Sequence, residues 1–445
     1  MRKDILVIGG NNFLSDVKTM LSPLGMEAEP AKNYSEIRAK LKNKNINVII
    51  FDDSWCRRDN DLRDKALKIL QKTKKDFIVV SSKRKTESVS SARKSGAADY
   101  IIKPYNWREF TARFNAVINK KTRISCIGGG SGLFTLLMGL KNLPDVLLTS
   151  IVSTSDDGGS SGRLKASFGM LPPGDIRRSL VALSNAPQIM NRLVQYRFRK
   201  GGGIKGHSFG NLLLTALTEI KGSVSEAVRQ IGDILNIRGI VLPVAVTKTT
   251  LCALFEDGTV IKGESRIDLG KGRDVKLRIK KCWHEPEPKC DINAYASILN
   301  SDIVTIGPGD LFTSVVTNLL IKDIRKAILK TAAKKVYICN LMTKPGETTG
   351  YNAIAHVKEI IKYLGHDCLD YVIISDTKLS GKAVRKYSKK QQFPVKRGDI
   401  REIAKITKAK IIVADVGCKT ELIHHNSAKI KKEIRKIIGH SEKWR

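Results

Sequence analysis

Short runs of β-branched and aromatic residues recur along almost the whole chain and alternate with stretches of helical periodicity. No other feature constrains the fold as much. Strands joined through helices lie parallel, and a parallel sheet needs helices on both faces. In the first part the strand-like runs are 4–8, 47–51, 77–80 and 100–102, with helical patterns at 34–41, 62–71 and 107–117. Further on they are 123–127, 147–154, 303–306, 336–339, 371–374 and 411–413. A length of 445 residues exceeds one ordinary core, so two domains are expected, over 1–121 and 122–445. The rhythm breaks at about 240–281. Runs at 244–247, 251–255 and 260–262, with a turn at Glu256-Asp257-Gly258-Thr259, predict a small β excursion.

In open α/β sheets the chemistry gathers at the carboxyl ends of strands. In the first domain these ends carry Asp52-Asp53, Ser81-Ser82 and Lys103-Pro104. An acidic residue, a hydroxyl and a lysine after successive strands resemble the receiver domain of two-component response regulators. The resemblance implies a flavodoxin-like fold with Asp52 as the phospho-acceptor candidate. A working receiver also has an acidic pair after its first strand, where this chain reads Gly9-Gly10-Asn11-Asn12. Neutral side chains there remove charge that a hard cation needs, with Asp53 as a partial substitute. The expectation is a degenerate receiver kept for docking a protein partner or for dimerisation.

In the second domain the strand at 123–127 runs into Gly128-Gly129-Gly130-Ser131-Gly132, ahead of an apolar helix pattern at 133–140. Strand, glycine loop and helix is the geometry in which backbone N–H groups face a phosphate. The spacing is not that of a Walker loop. The strand at 147–154 ends in Ser155-Asp156-Asp157-Gly158-Gly159-Ser160-Ser161-Gly162-Arg163. Two carboxylates, three hydroxyls, three glycines and an arginine exceed the needs of a turn. The loop predicts backbone donors and Arg163 for phosphate, and carboxylates for a ribose, a metal or a hydroxyl. Asp175 and Arg177, in Leu171-Pro172-Pro173-Gly174-Asp175-Ile176-Arg177, fit the same site, although Asp175 also reads as a helix N-cap. In Gly206-His207-Ser208-Phe209-Gly210-Asn211, the four-residue spacing places His207 and Asn211 on one helix face, with Ser208 as a further ligand. Gly307-Pro308-Gly309-Asp310 and Asn340 close later strands, so a broad shared cleft is predicted.

Together with Cys339-Asn-Leu-Met-Thr-Lys-Pro-Gly-Glu-Thr348, these motifs resemble the gluconeogenesis factor (YvcK-like) family of the CofD-like superfamily, over roughly 122–430. The resemblance implies a Rossmann-like fold and a cytoplasmic protein needed for gluconeogenic growth and normal cell shape. It also implies binding of a UDP-sugar or related nucleotide. The enzymatic relatives are 2-phospho-L-lactate transferases. Two readings follow. One is a regulatory binding protein acting on cell-wall precursor supply. The other is a transferase moving a phosphate-linked group from a nucleotide-diphosphate donor, with Asp156 or Asp157 holding Mg²⁺ or orienting the acceptor and His207 moving a proton. Sparse acid–base residues favour binding. No tightly bound cofactor is expected.

The formal net charge is +36, but only +12 lies in residues 1–121, so the excess is spread out. A lysine-rich surface is expected, not a specific nucleic-acid site. The terminal stretch 429–436 reads as an exposed basic face opposite Ile430, Ile434 and Ile437. Cys282, His284 and Cys290 lack the pairing of a zinc site and are expected to be incidental. No apolar run is long enough to span a membrane, and the first, Ile5 to Ile8, is too short for a secretory signal. A cytoplasmic location follows, and a homo-oligomer is compatible with every feature.

Overall fold

The computed structural model describes residues 4–56, 60–270, 274–418 and 420–442. The outermost residues of both predicted domains, 1–3 and 443–445, lie outside that description. The chain forms two compact units: residues 1–123 with 145–147 and 295–300, and residues 124–144, 148–294 and 301–445.

The first unit is built on a five-stranded parallel sheet: β1 (Asp4–Ile8), β2 (Ala28–Ala31), β3 (Ile46–Asp52), β4 (Asp76–Ser81) and β5 (Asp99–Ile102), in the order 2-1-3-4-5. This is the flavodoxin-like order. On one face Ile5, Val7, Val48, Ile50, Ile78 and Val80 pack against Phe13 and Val17 of helix Asn11–Leu21 and Phe110 and Phe114 of helix Trp107–Ile118. The period of two puts alternate strand residues on that face, and the helical period supplies the partners. β2 has no sequence signature. Its Ala-Glu-Pro-Ala pairs only with β1, at an edge where proline is tolerated.

The second unit is Rossmann-like. Its main sheet contains β6 (Thr122–Gly128), β7 (Val146–Val152), β8 (Ile240–Pro243), β12 (Ile303–Ile306), β13 (Lys334–Ile338), β14 (Tyr371–Ser375) and β15 (Lys410–Ala414), in the order 15-14-13-12-6-7-8. From β6 the chain winds outward through β7 to β8. It then returns beside β6 as β12 and winds the other way. β6 and β12 pair in parallel, Ile124 opposite Ile303 and Ile127 opposite Ile306, and between them lies the topological switch point.

The remaining strands, β9 (Thr250–Phe255), β10 (Val260–Lys262) and β11 (Ile279–Glu285), form a separate antiparallel sheet in the order 10-9-11. The β excursion therefore differs from the predicted 240–281. Ile240–Pro243 belongs to the main sheet through its parallel pairing with β7, and the 282–284 segment is strand. The terminal helix Ser427–Glu442 buries Ile430, Ile434 and Ile437 as its periodicity predicts. Among the described residues no helix is long and apolar enough to cross a membrane.

Candidate functional site

The glycine loop after β6 and the turn after β12 meet at the switch point. A Cβ on Gly132 would fall 2.4 Å from the carbonyl oxygen of Pro308, so only glycine allows these backbones to approach so closely. Gly130 has φ +65°, a second glycine requirement, and opens helix Gly130–Leu140. The crevice beyond, about 140 Å³, is lined by Gly129, Gly130, Ser131, Gly132, Gly309, Asp310 and Asn340. Thr135, Ser314, His424 and His425, which the sequence reading did not single out, also line it. Gly128, Gly307 and Pro308 are buried at its root. Asn340 donates through Nδ2 to the Gly309 carbonyl at 2.7 Å, and its buried Oδ1 has no partner.

Asp175 belongs to this site and is not an N-cap. It is the second residue of helix Gly174–Leu183, and its Oδ2 accepts the Gly130 N–H at 2.9 Å. Burial, then the nearby Asp156 carboxylate, pushes its pKa up to about 6. A Cβ on Gly174 would lie 2.4 Å from both Asp156 Oδ2 and Ser161 Oγ, which brings the Ser155–Arg163 loop against this helix.

Within that loop the two carboxylates have different tasks. Asp156 Oδ1 accepts the Gly158 N–H at 2.9 Å. Asp157 accepts the backbone N–H groups of Glu264 and Ser265 at 3.1 and 2.7 Å, capping helix Glu264–Leu269 of the excursion. Each Asp157 oxygen thus serves the excursion, whereas Asp156 stays within its own loop. Gly158 and the exposed Gly159, with φ +46°, lead into helix Gly159–Phe168.

His207 is likewise held by neighbouring side chains. Arg163 Nε donates to His207 Nε2 at 3.0 Å, and Ser160 Oγ lies 3.0 Å from Nδ1. Because a guanidinium only donates, Nε2 must accept, so Nδ1 carries the proton and donates to Ser160. Burial, then Arg163 and Arg197, lowers the His207 pKa, which agrees with a neutral ring. Both nitrogens are engaged by protein. Behind them, Asn211 Nδ2 donates to Ser160 Oγ at 3.0 Å and Arg177 Nε to Asn211 Oδ1 at 2.9 Å. Burial, then Arg178 and Arg197, lowers the Arg177 pKa to about 10. His207 precedes helix Phe209–Lys221, so the predicted shared face with Asn211 does not exist; both instead converge on Ser160. Ser208 caps that helix by accepting the Asn211 N–H.

Around Asp310 lies an acidic group that the sequence did not bring together. Lys344 Nζ binds Asp310 at 2.6 Å, lies 3.8 Å from Glu347 and also bonds Asp268. Burial disfavours the ammonium, but Glu347, Asp310 and Asp268 hold its pKa above the usual range. Burial raises Glu347 to about 7, although it accepts the Phe312 and Thr313 N–H groups. Burial, then Asp156 and Asp268, raises Glu264 to about 9. Asp268, Asp310 and Glu347 are the one group of potential metal ligands gathered among the described residues; Cys282, His284 and Cys290 form no such group. Lys344 and Glu347 stand in the quoted 339–348 motif. Glu264 and Asp268 lie in the excursion, where no pattern marked them.

The profile described as 2-phospho-L-lactate transferase CofD matches residues 124–416. The chain belongs to the CofD family. Its relatives include a putative gluconeogenesis factor of Thermotoga maritima, 43% identical over 271 residues, 60% of this chain and 83% of that one. The gluconeogenesis factor of Bacillus subtilis is 40% identical over 314 residues, covering 70% of this chain and 97% of that one. A crystal structure of a upf0052-family protein from Bacillus halodurans superposes with a TM-score of 0.67 at 38% identity, covering 71% of this chain and 99% of that chain. These CofD-family likenesses support a related regulatory or transferase-like role, and the switch-point crevice lies within the matched region.

The strand ends of the first unit form a separate cleft of about 550 Å³, lined by Gly10, Asn11, Asn12, Asp16, Asp52, Ser82 and Lys103, among others. Lys103 Nζ pairs with Asp52 at 2.8 Å, and Ser54 Oγ bonds Ser82 Oγ at 3.1 Å. Asp53 does not substitute for the missing acid: it is buried and paired with Arg63 at 3.3 Å. Asp16, one turn along helix Asn11–Leu21, contributes an acid that the sequence reading did not count.

Proposed function

We propose that the second unit binds a UDP-sugar or similar nucleotide at the switch-point crevice and acts as a cytoplasmic regulator of gluconeogenic growth, cell-wall precursor supply and cell shape. The observation that carries the reading is the apposition of Gly132 and Pro308, which leaves a glycine-walled crevice at the N-terminus of helix Gly130–Leu140. Its size suits a phosphate or diphosphate, with base and sugar extending over the open mouth. The names of the gluconeogenesis-factor relatives support the physiological role. Isothermal titration with UDP-N-acetylglucosamine tests it. Binding is expected, and Gly132→Val, folded by thermal melting, should lose it by about tenfold or more. Absence of binding to every UDP-sugar tried would sink the proposal.

A transferase reading is favoured by the proximity of Asp156 and Asp175. A raised carboxylate pKa beside a second carboxylate is the signature of charges that a hard cation would relieve. Asp156 and Asp175, not Asp157, are the oxygen donors that fit Mg²⁺. The ion would supply charge neutralisation of a diphosphate. Turnover of a nucleotide-diphosphate adduct, lost in Asp156→Asn, would establish this reading; silence across donors and acceptors counts against it. The first unit is proposed to be a degenerate receiver that docks a protein partner. Asn11-Asn12, neutral side chains in the cleft where a working receiver has its acidic pair, support this, and phosphorylation of Asp52 would overturn it.

A further inference from the structure

We propose that the second unit carries a separate site for an organic anion with a flat apolar portion, in the cavity along the C-terminal half of helix Gly159–Phe168. This cavity, about 1340 Å³, shares no lining residue with the switch-point crevice. It is large enough for a ligand of cofactor size. Four cationic side chains line it, Lys165, Lys248, Lys262 and Arg266, against two acids, Asp157 and Glu219. Asp157 is occupied by two backbone N–H groups, and Lys262 pairs with Glu285 at 2.8 Å, so the remaining balance favours an anion.

Three further observations agree. Ser223, Val224 and Ser225, the start of helix Val224–Ile234, lie on the wall and present the positive end of that helix. Lys165 Nζ, half-buried, donates to the Thr249 carbonyl at 2.8 Å, which fixes one ammonium at the wall. Phe168 and Val246 are 50% and 43% exposed, an uncovered apolar surface beside the charges that suits an aromatic or similarly flat group. A purely inorganic anion would leave that surface unused.

The test uses the full chain and 8-anilinonaphthalene-1-sulfonate, a flat apolar anion whose fluorescence rises on binding. Saturable binding is expected, and Lys248→Glu with Arg266→Glu should weaken it by about tenfold or more, a change of about 1.4 kcal/mol. The uncharged N-phenyl-1-naphthylamine should bind the unaltered chain at least about tenfold more weakly. UDP-N-acetylglucosamine titrated into the double variant should behave as with the unaltered chain, which separates this site from the nucleotide reading. Unchanged dye affinity in the double variant, or equal affinity for the uncharged dye, overturns the proposal. If the double variant melts early, Phe168→Ser at the exposed wall is read instead, and undiminished dye binding there has the same consequence.

Discussion

Asp156 and Asp157 adjoin in sequence yet answer to different parts of the fold. Asp157 reaches across 107 residues to cap a helix of the excursion, so its removal should cost stability and spare binding. Asp157→Ala is expected to lose about 1 kcal/mol, within the usual range for an N-cap, with nucleotide affinity changed by less than about twofold. Denaturant unfolding and calorimetry on the same sample check both halves. A variant of unchanged stability with lost binding would return Asp157 to the site. The loop was legible in the sequence because glycines, hydroxyls and an arginine crowd after a strand. Which carboxylate does what was not, since a cap is defined by the partner's backbone. The same limit applied to His207 and Ser208: their types suggested ligands, while their hydrogen bonds make one a support for Ser160 and Arg163 and the other a cap.

Among elements, helix Glu264–Leu269 brings the largest surprise, because a segment with no chemical signature sets Glu264 and Asp268 near Asp156 and Lys344. Glu264 has a folded-state pKa of about 9 against an ordinary 4.5. The folded chain therefore holds a proton that the unfolded chain releases, and stability falls as pH rises from about 5 to about 9. Glu264→Gln cannot ionise. Its stability should be flatter across that interval and exceed that of the unaltered chain near the upper end, as urea melts at several pH values would reveal. Parallel curves would remove Glu264 from the acidic group. Strands with near-continuous apolar runs, β1, β3 and β12, were legible because burial on both faces demands such residues. β2, with Glu29 and Pro30, was not, and Ile240–Pro243 fell within the bounds of the excursion because its parallel partner, β7, lies far earlier in the chain.

At the scale of the whole molecule, each of the two α/β units gathers its polar strand ends into a cleft of its own. In the first unit, Asn11 and Asn12 line the cleft where a hard cation would need acids. Incubating the chain with acetyl phosphate and Mg²⁺ is therefore expected to leave its intact mass unchanged; an added phosphoryl group absent from Asp52→Ala would show a working receiver. The order of the larger sheet could be anticipated only as a parallel class, because no local pattern says that β12 returns beside β6. Once it does, helix Gly159–Phe168 has Ser160 at its N-terminal end beside His207 and Phe168 at the other end on the large cavity. Occupants of the two places would thus share ten residues of backbone as a common lever. Should either ligand prefer one position of that helix, thermodynamic reciprocity requires each to change the other's affinity by the same factor, so titrating one at fixed amounts of the other would measure a single number from both directions.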